Sequence, residues 1–158
     1  MDKTPMTAEG AEALRVELKR LTSTERPRIV KEISAALAQG DLRENAEFQY
    51  AKEEQGHIEG RISEIAAKLG AAQIINIKEI PRSGKIIFGV TVRLLNLDTD
   101  EEVTYKIVGD DEADIKVNKI SVYSPVARSL IGKQQDDVVL IQIPSGQIEY
   151  EILSVEPL

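Results

Sequence analysis

The chain has no cysteine and no tryptophan, a single histidine, and only 4% aromatic residues. Without thiols there are no disulfides and no thiolate-held metal, which suits a reducing compartment. His57 has neither a cysteine nor a second histidine with which to share an ion. It falls at a c position of the heptad described below, is expected to face solvent, and is given no role. No stretch reaches the roughly 18 consecutive apolar residues of a membrane helix. The N-terminal Met1-Asp2-Lys3-Thr4-Pro5 has no apolar run behind it to act as a signal peptide, so a cytoplasmic protein with no membrane partner is expected. No serine stands in the glycine-flanked setting of a hydrolase nucleophile, and no glycine-rich phosphate loop is present.

Basic charge is also in short supply. The net charge is −7, and the acid is unevenly spread: residues 1–72 hold 11 Lys and Arg against 13 Asp and Glu, while residues 73–158 hold 9 against 14. Such a chain repels a phosphate backbone and is expected to bind DNA only weakly by itself. Any contact with nucleic acid falls to a few local basic groups in the first half.

What is present is a change of period. Thr7 precedes Leu14, Leu18 and Leu21, which recur at helical spacing, so Thr7 is a candidate N-cap with the helix starting at Ala8. The same register predicts apolar residues at 25 and 28, where Glu25 and Arg28 stand instead. The stripe resumes one residue late at Ile29, Ile33 and Ala36, a slip of about 100° of rotation. Pro27 lies at the slip, and a kink or short break between Thr22 and Pro27 is expected, bringing both stripes onto one partner. The partner is the next run. Phe48, Ala51, Gln55, Ile58, Ile62, Ile65, Leu69 and Ala72 alternate at spacings of three and four, as a coiled-coil seam does. Gly40 to Asn45 interrupt the two patterns, which implies an antiparallel hairpin whose second arm, from Asn45 to Ala72, is about 42 Å long.

From Gln73 the period becomes two. Phe88, Val90, Val92 and Leu94, then Val103, Tyr105 and Ile107, read as strands about a turn at Asp98-Thr99-Asp100. Val138 to Ile143 and Ile148 to Val155 form a second hairpin about Pro144-Ser145-Gly146. Between the hairpins, Ser124, Pro125 and Gly132 supply the start and stop signals of a short helix. The expected class is α+β, with a helical hairpin over 1–72 and a largely antiparallel sheet domain over 73–158.

Asp41 and Glu44 are the candidate functional carboxylates, at the far end of a rod. Spacing alone admits a second role, since Asp-x-x-Glu before a heptad run is a capping box. Two carboxylates are too few for a Mg²⁺ site of their own, because this ion takes six oxygens, but they suffice to complete a shell that a partner begins. Arg43 and Lys52 are the nearest candidates for phosphate contact. The cluster Asp110, Asp111, Glu112 and Asp114 lacks the ligand alternation and glycine of a calcium loop, and suits a solvated loop or a protein-docking surface.

Three stretches carry a resemblance: Gly40-Asp41-Leu42-Arg43-Glu44-Asn45-Ala46-Glu47, Val108-Gly109-Asp110-Asp111-Glu112-Ala113-Asp114, and Ser121 through Lys133. With these in order, the chain resembles bacterial transcript cleavage factors of the GreA/GreB family, GreA type, over essentially its full length. The resemblance implies a coiled coil entering the secondary channel of RNA polymerase and an FKBP-like domain docking at the channel mouth. It implies a monomer that is no enzyme itself but stimulates the polymerase to cleave backtracked RNA. Asp41 and Glu44 would hold a Mg²⁺ jointly with the polymerase, Asp41 as ligand and Glu44 assisting the ion and positioning the nucleophile. Arg43 and Lys52 would face the nascent RNA 3′ end. Asp110, Asp111, Glu112, Asp114, Ser124, Pro125 and Arg128 would contact the polymerase. Family members commonly carry a basic residue late in the first arm, where this chain has Leu37, a difference that bears on the length of the cleaved fragment. An FKBP-like fold suggests a prolyl isomerase, but a pocket lined only from Phe88, Tyr105, Tyr123 and Tyr150 argues for a binding module. A protein of the same shape that plugs the channel and inhibits is the alternative, and the intact acidic pair favours activation.

Overall fold

The computed structural model describes residues 3–40 and 45–158 of an α+β chain. Two compact units divide it, one of Ala11–Ala72 and one of Asp2–Gly10 with Gln73–Leu158.

The first unit is a helical hairpin. Thr7 caps helix α1 (Ala8–Arg20), its hydroxyl accepting from Gly10 N at 3.0 Å. Where a kink or break is expected, the helix continues through a π-helical turn over Leu21–Glu25 into α2 (Arg26–Leu37). Within it Arg26 N donates to Leu21 O, five residues back. A π turn inserts one extra residue into a helix, so the slip in the stripe is absorbed while the helix continues. Pro27, which has no amide to give, stands at the second residue of α2, directly after the π turn where the register changes. Helix α3 (Ala46–Ala71) returns alongside. Its 26 residues make an arm about 39 Å long.

The seam between the arms is the one the heptads predict. Leu21, Ile29, Ala51, Ile58 and Ile65 form a buried cluster, with Leu14, Leu18, Ile33, Ile62 and Leu69 packed against it. Residues on both sides of the π turn therefore reach the same partner. Ile29 and Ile65 are fully buried, and each such side chain stabilises by about 1.5–3 kcal/mol.

The second unit centres on a five-stranded mixed sheet. The strands are β3 (Thr91–Asn96), β4 (Glu102–Val108), β5 (Lys119–Ser121), β6 (Val138–Ile143) and β7 (Gly146–Glu156), in the order β5-β4-β3-β7-β6. Only β4 and β5 run parallel; the other neighbours are antiparallel. A separate two-stranded ribbon joins β1 (Thr4–Thr7) to β2 (Ala72–Ile75). Helix α4 (Pro125–Leu130) starts at Ser124, whose side chain accepts from Ala127 N at 3.2 Å, and stops short of Gly132. Ala127 and Leu130 enter a core with Val92, Leu94, Ile107, Ile141 and Ile152.

The strand expected from Phe88 begins instead at Thr91. Gly89 has φ +93 and its amide donates to Ile107 O at 2.9 Å, so the chain turns there before entering the sheet. The alternation still holds for burial, since Val90, Val92 and Leu94 are all buried.

Gly109 permits a close crossing. A Cβ placed on it would lie 2.5 Å from Pro5 O and 3.5 Å from Met6 Cα, backbone that cannot give way as a side-chain tip can. Gly109→Ala should therefore loosen β1 and cost about 1–3 kcal/mol in urea denaturation. Gly56, inside α3 with nothing within 4 Å of such a Cβ, is the counterpart. Gly56→Ala should stabilise by about 0.5–1 kcal/mol in the same measurement.

Candidate functional site

The connection between α2 and α3 carries the candidate site. Asp41, Arg43 and Glu44 lie outside the described residues, so the site is defined by what flanks them. On one side α2 ends with Ala38 as its C-cap, with Ala38 N bonded to Ser34 O at 3.2 Å and Gln39 N to Ala36 O at 3.1 Å. On the other side α3 begins at Ala46.

Asn45 caps α3. Its backbone is extended, and its Oδ1 accepts from Phe48 N at 3.0 Å. Its Nδ2 donates to Ala36 O of the opposite arm at 2.8 Å. The N-cap is thus filled by the residue after Glu44. A capping box built on Asp41 and Glu44 would need the helix to start at Leu42, four residues before it does. The signal for Asn45 was in the sequence, since Asn is among the preferred N-caps, but the Asp-x-x-Glu spacing drew the cap too early.

The arms beside this connection present two different flanks. Ala36 and Ala51 are buried between the helices. Residues one step to either side of each project about 100° apart from them. On one flank Ala35, Glu32, Glu47, Tyr50 and Glu54 line an open recess of about 360 Å³, and Tyr50 is 76% exposed. On the other are Leu37, 46% exposed, and Lys52, exposed and donating to Gln55 Oε1 at 3.1 Å. Leu37 thus stands on the same flank as Lys52 and adds apolar surface where a cation would add charge. His57 is exposed, as its heptad position predicts.

Ion pairs fix the register of the arms. Arg61 holds Glu17 through two bonds of 2.7 and 2.8 Å, and Arg26 holds Glu59 at the same two distances. Arg28 joins Glu25 and Glu32 on its own arm to Glu54 on the other. Hydrogen bonding from Arg61, Arg28 and Arg26 holds Glu17, Glu25 and Glu59 below the ordinary carboxylate range, against a smaller desolvation effect.

In the second unit the acidic cluster divides. Asp110–Glu112 form a 3-10 turn, and Asp114 caps the next one, its Oδ1 accepting from Lys116 N at 3.1 Å. Asp110, Asp111 and Asp114 are exposed, whereas Glu112 is half-buried. Its Oε2 accepts from Thr7 N at 3.0 Å and Gly109 N at 2.9 Å, and its Oε1 from the Thr7 hydroxyl. Glu112 is a bracket that ties β1 to the turn, and its carboxylate is committed to that task. Ser124 is likewise engaged as the cap of α4, while Pro125 and Arg128 are exposed. Among the described residues no group of three or more His, Asp or Glu is placed to hold a metal ion. None of their helices is long and apolar enough to cross a membrane.

Comparison with known proteins adds to this geometry. Residues 4–74 match the family described as transcription elongation factor, N-terminal, and residues 81–157 match transcription elongation factor, GreA/GreB, C-term. The chain belongs to the GreA/GreB family of transcription elongation factors. Among its relatives is the transcription elongation factor GreA of Yersinia pestis bv. Antiqua (strain Angola), 58% identical over 99% of both chains. That of Legionella pneumophila (strain Lens) is also 58% identical, over 99% of this chain and 98% of its own. Among solved structures, GreA factor homolog 1 of Thermus thermophilus aligns over 98% of this chain and 99% of its own, with 25% identity and a TM-score of 0.44.

The depressed carboxylates make the hairpin acid-sensitive in a definite direction. A carboxylate whose folded pKa lies below its unfolded value of about 4.3 stabilises fully above that value, and the contribution is lost as pH falls through the folded pKa. Helicity at 222 nm should therefore melt at progressively lower temperature as pH drops below about 4.3, each exposed pair contributing modestly. Glu59→Gln should flatten that pH dependence while leaving the melting temperature near pH 2 little changed, because both forms are then uncharged.

Proposed function

We propose that this Gre-family factor acts on RNA polymerase, entering its secondary channel with the helical hairpin and stimulating endonucleolytic cleavage of backtracked nascent RNA. The observation that supports this most directly is the cap at Asn45. It fills the N-terminus of α3, so the capping role that the Asp-x-x-Glu spacing suggested falls to Asn45. On this reading the two carboxylates serve outside their own fold.

The donor set fits a shared divalent ion and no more than that. Asp41 and Glu44 offer two hard oxygen ligands, fewer than Mg²⁺ requires, so the rest of the shell must come from the polymerase. Held there, the ion would supply charge stabilisation and a more acidic water for phosphodiester hydrolysis. Asp41 is the ligand on this reading. Glu44 orients the attacking water and accepts its proton at a carboxylate oxygen. Arg43 and Lys52 contact phosphates of the extruded RNA 3′ segment. With Leu37 beside Lys52, that grip is weaker in charge and should alter which fragment length is preferred.

Docking of the second unit is assigned to the exposed face of the acidic cluster, Asp110, Asp111 and Asp114, with Pro125 and Arg128 of α4. Glu112 and Ser124 support that surface from within. On this reading the chemistry stays with the polymerase, and the factor acts as a monomer in the cytoplasm.

Asp41→Ala should abolish factor-stimulated RNA shortening in stalled transcription complexes with little change in affinity for the polymerase. Equal shortening by mutant and wild type would refute the role. A tightly bound factor that blocks the polymerase without shortening the RNA, in the wild type, would instead favour an inhibitor.

A further inference from the structure

We propose that Ile115 and Val117 are the apolar anchor by which the second unit docks on RNA polymerase, seated in an apolar recess of the polymerase with charged groups around its rim. The inference rests on the function proposed above and deepens it, since the docking surface assigned there consists mainly of charged groups.

Ile115 and Val117 lie on the 3-10 turn between the acidic turn and β5, and they are 68% and 60% exposed. Single apolar side chains on a surface are ordinary. What distinguishes these two is the backbone beneath them, which is fixed at every step. The base of the loop is closed in both directions, Asp114 N donating to Lys119 O at 2.8 Å and Lys119 N to Asp114 O at 3.0 Å. Asp114 Oδ1 accepts from Lys116 N at 3.1 Å, and Asp114 O accepts from Val117 N, also at 3.1 Å. Asn118 makes the return with φ 58, a left-handed conformation that Asn tolerates well. Its amide donates to Ile115 O at 3.1 Å, and its carbonyl accepts from Lys106 N at 2.9 Å, which ties the loop to β4. A loose loop can fold its aliphatic side chains back onto its own domain. This one holds them in water.

A partner that covers both side chains gains the hydrophobic free energy that the fold leaves unused, and little order has to be imposed on the loop first. The surroundings have the anatomy of an interface, an apolar centre within a charged rim. Asp110, Asp111 and Asp114 precede the pair, Lys116 and Lys119 flank Val117, and all five are exposed. The three carboxylates repel a phosphate backbone, so the complement is a protein surface. A second copy of this chain brings another net charge of −7 and is repelled as a whole. A rim of both signs penalises wrong registers, which suits docking on one site of a large partner such as the polymerase.

The test compares the full chain with its Ile115→Ser/Val117→Ser variant, using RNA polymerase for affinity and backtracked transcription complexes for RNA shortening. The dissociation constant should rise about ten- to hundredfold. Shortening at saturating factor should stay within about twofold of wild type, because only binding is lost. The melting temperature should stay within about 2 °C, since neither side chain belongs to the core. Unchanged affinity overturns the proposal. So does weaker binding accompanied by a fall in melting temperature of more than about 5 °C, because the pair would then be supporting the fold. Lost shortening at unchanged affinity overturns it as well, by moving the pair into the catalytic step. A wild type that sediments as a dimer, with the variant a monomer, assigns the loop to a second copy instead. Asp110→Asn/Asp111→Asn, run alongside, separates the two levels. If wild type does not bind the polymerase, the function proposed above fails and the anchor with it; if the Asn variant binds more weakly while the Ser variant binds like wild type, only the anchor fails.

Discussion

The structure depends on an apolar seam that stays continuous although the sequence on one arm slips by a residue. A stripe displaced by about 100° would leave either Leu14 and Leu18 or Ile29 and Ile33 facing water. The π turn at Leu21–Glu25 takes up the difference inside the helix, and the buried cluster then contains residues from both sides of it. Every other feature of the hairpin follows from that continuity. Only with both stripes on α3 do Glu17 and Arg61, Arg26 and Glu59, and Arg28 and Glu54 fall opposite one another. These exposed pairs are weak individually, and their effect is to select one register over its neighbours rather than to hold the arms together.

Several carboxylates among the described residues are engaged by the fold itself. Glu17, Glu25, Glu59 and Glu112 are spent on the fold: each has a named hydrogen-bond donor within the chain. Glu112 is the most committed, drawing together Thr7 and Gly109 from parts of the sequence about a hundred residues apart. By contrast, the cap that the Asp-x-x-Glu spacing predicts is supplied by Asn45. The proposed function therefore rests on that cap rather than on the acidity of the segment.

Much of this was legible from spacing. The seam residues, Thr7 and Ser124 as caps, the turn after Asn96 and the alternation through Val90, Val92 and Leu94 are local signals, set by periods of 3.6 and 2 and by side chains that reach only a few residues. What was not legible is mostly non-local. Strands β1, β2 and β5 are three or four residues long, too short to show a period, and exist because a distant segment pairs with them. The role of Glu112 required knowing that Thr7 lies beside it. The π turn was visible as a slip, but sequence pattern could not distinguish a broken helix from one that gains a residue and continues. Asn45 was missed for a third reason: a stronger motif just before it offered a competing cap.

The flank of Leu37 and Lys52 shows how the hairpin separates stability from specificity. Because Ala36 and Ala51 fill the seam at that level, their outward neighbours carry no packing burden and can change without disturbing the arms. Leu37 and, on the opposite flank, Tyr50 accordingly occupy exposed sites beside the buried alanines. On the proposed reading, the residues that meet RNA are on the flanks, and those between the helices pack the seam. On that reading, substitutions on the flanks tune grip on the transcript without disturbing the seam. The small residues of the seam near the connection make that separation possible, since a larger residue at 36 or 51 would push the arms apart and lengthen the reach from Asn45 to Ala36 O beyond a hydrogen bond.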